Sequence, residues 1–354
     1  MSELRLPSQR VCVVLLMRIG DVVWGLPIVN ALKRDDPKRH ITWVVQSVPA
    51  ALLQPHPSVD EVITFDRKKG LGELRALWRK LRPREFDLVL CCSHYIKSAI
   101  PALIARAPDK VSYGPDRASD FQWMFSNHNL PPRRARHMQE RYLEFLDFLG
   151  LDRADQIEWN ITLTEEERLA QTEFLAQFEG RQVVALGTTS YAQNKNWPSE
   201  RFAELAAALQ HDLGFGVVLV GGPGAAEQQQ AREVRRAAGE GVVWGLGEDL
   251  RRLIYLLDGC SLMISVDTGP LHIARALDTP VIGLYGNTDP WRYGPYKAYE
   301  DLWIDRYNLE GPDDPADAGV SIARAERMKL ISVRDVLDKV EVAKERYLLR
   351  KEAV

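Results

Sequence analysis

Leu262-Met263-Ile264-Ser265-Val266-Asp267-Thr268-Gly269-Pro270-Leu271-His272-Ile273-Ala274-Arg275-Ala276-Leu277-Asp278-Thr279-Pro280-Val281-Ile282-Gly283-Leu284-Tyr285 holds the repeating unit of this chain. A short, nearly unbroken apolar run is followed by a turn, an amphipathic helix and a second apolar run. Leu262–Val266 and Val281–Tyr285 suit strands buried on both faces, as in a parallel sheet covered by helices. Thr268–Leu277 reads as the helix between them. The same alternation extends upstream. Strands are predicted at Gln182–Leu186, Gly216–Val220 and Gly241–Val243, with helices at Pro198–Leu213, Ala225–Ala238 and Asp249–Leu257.

An earlier and less regular series begins with a strand at Val11–Met17 and a helix at Asp21–Lys33. Further strands are expected at Ile41–Gln46, Glu61–Phe65 and Phe86–Cys92, with helices at Leu71–Leu81 and Lys97–Arg106. The pattern resets near Asn160, and Thr164-Glu165-Glu166-Glu167 has the form of a capped helix start. A chain of 354 residues suits two domains. The fold class is therefore α/β, with two Rossmann-like parallel-sheet domains facing a cleft: residues 1–160, residues 161–330, and a last helix within residues 331–354 packing back on the first domain. Ligands in such open sheets bind beyond the carboxyl ends of the strands. Glu310 to Ala318 reads as a loop.

Composition narrows the function classes. The chain is 45% hydrophobic and 27% charged, with 24 Gly, 20 Pro and a net charge of −3, which excludes disorder and argues against nucleic acid as a partner. No apolar run reaches the roughly 18 residues of a membrane span. The polar stretch Met1–Arg10 lacks a signal-peptide core. Cys12, Cys91, Cys92 and Cys260 lie in or beside strand-like runs without Cys-x-x-Cys spacing, and read as buried thiols of a reducing cytoplasm.

Four turns carry candidate chemistry. Met17-Arg18-Ile19-Gly20-Asp21 follows the first strand, and its single glycine falls short of the Gly-x-Gly-x-x-Gly of a dinucleotide fold, which disfavours a nicotinamide dehydrogenase. Asp21 there is either a general base or a carboxylate offsetting the helix dipole. In Asp267-Thr268-Gly269-Pro270-Leu271-His272 a helix N-terminus offers N–H groups and positive dipole to a diphosphate. The plainer reading makes Asp267 an N-cap and His272 an interface histidine. Thr188, Thr189 and Lys195 follow another strand and suit phosphate contact, unless Lys195 is only a solvated loop residue. Gly221-Gly222-Pro223-Gly224 with Glu227 fits a ligand lying on the backbone, with Glu227 on ribose hydroxyls, or equally a simple turn. No metal-ligand spacing occurs in these loops.

Taken in this order, Arg18-Ile19-Gly20-Asp21-Val22-Val23-Trp24-Gly25-Leu26-Pro27, Lys195-Asn196-Trp197-Pro198, Gly221-Gly222-Pro223, and the Ser265–Pro295 region with Asp267-Thr268-Gly269-Pro270-Leu271-His272 and Leu284-Tyr285-Gly286-Asn287-Thr288-Asp289-Pro290 resemble the ADP-heptose:lipopolysaccharide heptosyltransferase family, glycosyltransferase family 9. The resemblance implies the GT-B architecture, inversion at the anomeric carbon, and no metal or other cofactor. It implies Asp21 as catalytic base and Lys195 as counter-charge to the leaving diphosphate. Thr188, Thr189, Gly222, Glu227, Asp267, Thr268, Gly269 and His272 would contact a nucleotide-sugar donor. Arg18 and Gly20 would lie on the side of a saccharide or glycolipid acceptor.

Two features depart from the family pattern. The Thr188–Lys195 loop is slightly longer, and Gly311-Pro312-Asp313-Asp314-Pro315 stands where many members have a cysteine-containing segment. The implied location is the cytoplasm, with peripheral contact at the inner face of its membrane. A basic stretch, Arg67, Lys68, Lys69, Arg75, Arg79, Lys80, Arg82 and Arg84, with Arg133, Arg134 and Arg136, is either a solvated face or a surface for anionic lipid or a phosphorylated acceptor. The remaining readings are a transferase of the same fold with another sugar nucleotide or a non-lipid acceptor, a nucleotide-sugar epimerase, and a catalytically silent binding subunit.

Overall fold

A computed structural model describes residues 9–93, 95, 99–117, 121–133, 137–154, 156–309 and 324–348. The chain divides into two compact units, Met1–Thr162 and Leu163–Val354. Lys97, Arg134, Arg136 and the expected loop Glu310–Ala318 lie outside the described residues.

In the first unit the strands are β1 (Arg10–Leu15), β2 (His40–Val45), β3 (Glu61–Thr64), β4 (Leu88–Cys91), β5 (Asp109–Tyr113) and β6 (His128–Leu130). They form a parallel sheet in the order β3-β2-β1-β4-β5-β6, with Val11 opposite Ile41 on one side and Leu88 on the other. Val11 to Leu15 is wholly buried because β1 is central and covered on both faces. The helices are α1 (Ile19–Asp35), α2 (Leu71–Leu81), α3 (Ala99–Ile104) and α4 (Met138–Leu149). α1 lies so close to the sheet that a Cβ at Gly25 would come 2.9 Å from the Leu15 side chain and 3.1 Å from Trp43.

The second unit contains α5 (Glu165–Ala176), β7 (Val183–Gly187), α6 (Ser199–His211), β8 (Gly216–Val220), α7 (Ala225–Ala238), β9 (Val242–Trp244), α8 (Leu250–Asp258), β10 (Leu262–Val266), α9 (Gly269–Ala276), β11 (Val281–Tyr285), α10 (Pro290–Tyr293), β12 (Ile304–Asp305) and α11 (Val333–Ala343). Its parallel sheet runs β12-β11-β10-β7-β8-β9. Numbered from the first strand of each unit, both sheets have the Rossmann order 3-2-1-4-5-6. Thr164 opens α5 with the expected capping box, its hydroxyl accepting from the Glu167 N–H while the Glu167 carboxylate accepts from its own.

The structure differs from the sequence reading in two respects. The last helix, expected to pack back on the first domain, buries Val336, Val340 and Ala343, with Leu348 just beyond it, in the second unit's core among Phe202, Leu205 and Leu284. Burial of such side chains contributes roughly 1.5–3 kcal/mol each, so this packing makes α11 part of the unit that precedes it. The sequence reading also passed over β5, β6, α4 and β12. β5 begins Asp109-Lys110, and β6 and β12 are too short to show an alternation. Cys12, Cys91, Cys92 and Cys260 are free and buried, and burial pushes the Cys91 and Cys260 thiols up to about 12.

Candidate active site

Each sheet reverses its winding at one point, between β1 and β4 in the first unit and between β7 and β10 in the second. The loops leaving those strands diverge there, and ligand crevices open at such points.

In the first unit the turn after β1 is pinned from both sides. The Leu16 N–H donates to Ser93 Oγ at 3.1 Å, and Gln46 Nε2 donates to the Leu16 carbonyl at 3.1 Å. Arg18 is the exposed N-cap of α1 and supplies no side-chain cap; Gly20 is buried. Asp21 falls in the first helical turn, where the macrodipole favours a carboxylate, and Tyr142 Oη donates to its Oδ1 at 2.9 Å. Burial pushes the Tyr142 hydroxyl well above 10, and the Asp21 charge pushes it further in the same direction. Tyr142 therefore stays protonated as a donor. It stands on α4, whose first turn is fixed by His137 Nδ1 accepting from the Gln139 N–H and by Gln139 Nε2 donating to the Trp24 carbonyl at 2.7 Å. The sequence reading missed Tyr142, Gln139 and His137, because they lie more than a hundred residues from Asp21.

In the second unit the turn after β7 and the turn after β10 are joined by charge. Lys195 Nζ donates to Asp267 Oδ2 at 2.7 Å, and His272 Nε2 stands 3.6 Å from Asp267 Oδ1. Burial alone would raise the Asp267 carboxyl, but His272 and Lys195 outweigh it and hold the group below its ordinary value. Asp267 is thus not the N-cap of α9, as its plainer reading would have it. Thr268 holds that position, and its hydroxyl makes no capping bond to the helix. Lys195 is not a free loop lysine either: its ammonium also lies 5.7 Å from the Tyr293 ring centroid.

The Lys195 loop is stapled at its ends. Gln230 Nε2 donates to the carbonyls of Thr188 and Trp197, both at 3.0 Å, and Ser190 N–H donates to Asn196 Oδ1 at 2.8 Å. Trp197 is buried and donates through Nε1 to the Ile331 carbonyl at 2.9 Å. Thr188 and Thr189 are buried in this loop. Gln230 lies in none of the stretches that carry the resemblance, and Tyr293, though inside the Ser265–Pro295 region, was not singled out there.

At the end of β8, beside β7, Glu227 curls back over the glycine turn. Its carboxylate accepts from the Gly222 N–H at 3.5 Å, and a Cβ at Gly222 or Gly224 would come within 3.0 or 2.8 Å of its Oε2. The structure thus brings Lys195, Asp267 and His272 into contact, with Thr188, Thr189, Thr268 and Gly269 on the same two turns. Gly222 and Glu227 form a separate contact at the adjacent strand, and Arg18, Gly20 and Asp21 belong to the first unit. Among the described residues no group of three His, Cys, Asp or Glu side chains is placed to hold a metal ion, and no helix is long and apolar enough to cross a membrane.

A family model described as glycosyltransferase family 9 (heptosyltransferase) matches residues 74–309, two thirds of the chain. The chain belongs to glycosyltransferase family 9. As a family 9 glycosyltransferase it is 26% identical over 292 residues to the lipopolysaccharide core heptosyltransferase OpsX of Haemophilus influenzae, a match covering 82% of this chain and 83% of that one. The crystal structure of a family 9 glycosyl transferase from Veillonella parvula superposes with a TM-score of 0.79 at 25% identity, over 94% of this chain and 96% of that one. The Escherichia coli heptosyltransferase WaaC, solved with ADP-2-deoxy-2-fluoro heptose, superposes with a TM-score of 0.72 at 22% identity, over 94% and 99% of the two chains. This family 9 enzyme therefore has the GT-B architecture of two Rossmann-like sheets.

Proposed function

We propose that this glycosyltransferase moves a heptose-type sugar from a nucleoside diphosphate donor of the ADP-heptose kind to a lipopolysaccharide-core-type acceptor. The proposed reaction inverts the anomeric carbon and uses no metal ion. The observation that carries the reading is the Lys195–Asp267–His272 cluster at the switch point of the second sheet. A buried acid there fixes a lysine ammonium beside the start of α9, where a helix dipole favours an anion. The heptosyltransferase names of its relatives and the ADP-heptose analogue bound by WaaC point to the donor class.

In the proposed displacement the acceptor hydroxyl gives its proton to Asp21 as its oxygen bonds to the anomeric carbon. The bond from that carbon to the diphosphate oxygen breaks, and the nucleoside diphosphate departs with the electron pair. Lys195 and the N–H groups at Thr268 and Gly269 face the charge that develops on the leaving oxygen, where preorganised donors contribute most. Asp267, itself flanked by His272, holds Lys195; Asp267 and His272 contact the donor, Thr188 and Thr189 complete the phosphate side, and Glu227 with Gly222 receives the ribose. Arg18 and Gly20 line the acceptor side of the Asp21 turn. The proposed place of action is the cytoplasm.

The test is product analysis by mass spectrometry with ADP-heptose and a panel of core saccharides, in buffer containing EDTA. The reading expects a product one heptose heavier and of inverted configuration. Asp21→Asn should lower turnover by about 10²–10⁴-fold with ADP affinity changed by no more than about twofold. Turnover lost in EDTA and restored by a divalent cation would overturn the metal-free step; near-normal turnover of Asp21→Asn would overturn the base.

A further inference from the structure

We propose that Arg292 is a second cation of the donor site and takes the sugar-side phosphate of the bound diphosphate, opposite Lys195. The proposal rests on the diphosphate-donor reading above and adds to it a residue outside the Lys195–Asp267–His272 cluster. α10, the short helix after β11, is anchored at both ends. Asp289 caps it by accepting from the Trp291 N–H at 3.0 Å, and the Gly294 N–H donates to the Pro290 carbonyl at 2.7 Å. Trp291 packs edge-on against Trp303 with 5.3 Å between ring centroids, and a Cβ at Gly294 would come 2.8 Å from the same indole. This packing holds the Tyr293 ring beside the Lys195 loop, where it serves two cations. Lys195 Nζ lies 5.7 Å from its centroid and the Arg292 guanidinium carbon 5.4 Å from it, while Arg292 Nε donates to Tyr293 Oη at 3.0 Å. Charges sharing one ring in this way stand at most about 11 Å apart, a gap that a diphosphate spans with one hydrogen bond of ~3 Å at each end.

The electrostatics call for such a partner. Lys195 is bonded to Asp267, which His272 also flanks, so much of the ammonium charge is already matched inside the protein. A sugar diphosphate is a polyanion and gains further charge as the sugar leaves. A reaction without a metal ion leaves that charge to side chains and helix N–H groups. Arg292 is exposed and makes no ion pair with a described carboxylate, whereas Arg275 is paired with Asp278 and Arg306 with Asp335. Asp289, three residues before it, is occupied by the Trp291 N–H and by Asn308 Nδ2 at 2.9 Å. With Nε held by Tyr293, the two Nη groups donate to no described residue and form the flat fork that suits phosphate oxygens. Sheet order gives the polarity. β8, whose turn carries Gly222 and Glu227, and β11, which leads into α10, lie on opposite sides of the β10–β7 pair. With the ribose at β8 and Lys195 at the switch point, Arg292 meets the phosphate farther from the nucleoside.

The experiment is isothermal titration of the full chain with ADP, UDP and GDP, each beside its monophosphate, followed by variants tested with the base that wild type binds most tightly. Wild type is expected to prefer the diphosphate. Arg292→Gln should weaken the diphosphate at least about tenfold and the monophosphate no more than about twofold, and Arg292→Lys should recover only part of the loss because it lacks the fork. Its melting temperature should match wild type, since the side chain is exposed. Tyr293→Phe keeps the ring but releases Arg292 Nε, and should weaken the diphosphate about threefold. Lys297→Gln removes an equal charge from a nearby exposed side chain and should leave both affinities unchanged. A preference for diphosphate that survives Arg292→Gln overturns the assignment and leaves the donor reading in place. So does an equal loss in Lys297→Gln, which would make the effect one of general surface charge. Wild type that binds none of the three diphosphates overturns the donor reading, and the role of Arg292 with it.

Discussion

Asp267 is nearly inaccessible to water yet ionised, held in that state by one lysine and one histidine. Removing Lys195 alone leaves the carboxylate underpaired, and breaking a buried pair costs more than deleting it. Because the lysine end is partly solvated, Lys195→Met should cost a reduced ~1–3 kcal/mol in urea unfolding, and Lys195→Met/Asp267→Asn should recover much of that loss. Equal stability of all four proteins in this cycle would mean that the pair has no structural role. The pH dependence has a definite sign. A native carboxyl below its ordinary value of 3.8 contributes stability that is complete above that value and lost as pH falls through the lower native one. Wild type and Asp267→Asn should therefore show parallel stability profiles above about pH 5, with wild type falling faster below about pH 4. Tyr142→Phe tests the other half-site. Loss of the 2.9 Å bond to Asp21 should lower kcat about tenfold through a less well-held carboxylate, while the donor KM stays unchanged.

At the scale of elements, the strongest contrast lies between β10–α9–β11, readable at sight, and β5–β6, which were not read. β10 and β11 are buried on both faces and spell this out as continuous apolar runs. β5 opens on Asp109 and Lys110, and Lys110 Nζ instead reaches the carbonyls of Ala102 and Ala105 near the end of α3. A charged start that looks like loop in one dimension is a helix-end contact in three. α11 teaches the same lesson from the opposite direction: its amphipathic pattern announced a helix, but could not say which surface it would cover. The packing on α6 and the second sheet makes a directional prediction. Val340→Ala should destabilise by about 1–3 kcal/mol, and hydrogen exchange should quicken in α6 and β11 and remain unchanged in β1–β4. Quickening in the first sheet would place the helix's energetic role there instead.

For the molecule as a whole, two separate Rossmann sheets predict a divided response to ligand. If the second unit holds the donor nucleotide, ADP at about a hundred times its Kd should stabilise that unit by ~2.7 kcal/mol. Exchange should slow at Thr188–Lys195, Gly221–Glu227 and Asp267–His272, with no protection in the Ile19–Trp24 turn. Protection confined to the first unit would reverse the assignment. Much of this was legible in one dimension. Residue type and local spacing are enough to set strand, turn and helix, and a turn after a buried strand must lie at a sheet's carboxyl edge; hence the turns that carry Asp21, Lys195 and Asp267 were legible without coordinates. Which strand neighbours which, and so which turns meet, depends on long-range pairing that leaves no local trace. Only the folded sheet brought residue 195 to residue 267, put Tyr142 on Asp21 and Gln230 on Thr188, and gave the last helix to the second unit, because contact between distant segments is decided by where buried surface can be matched.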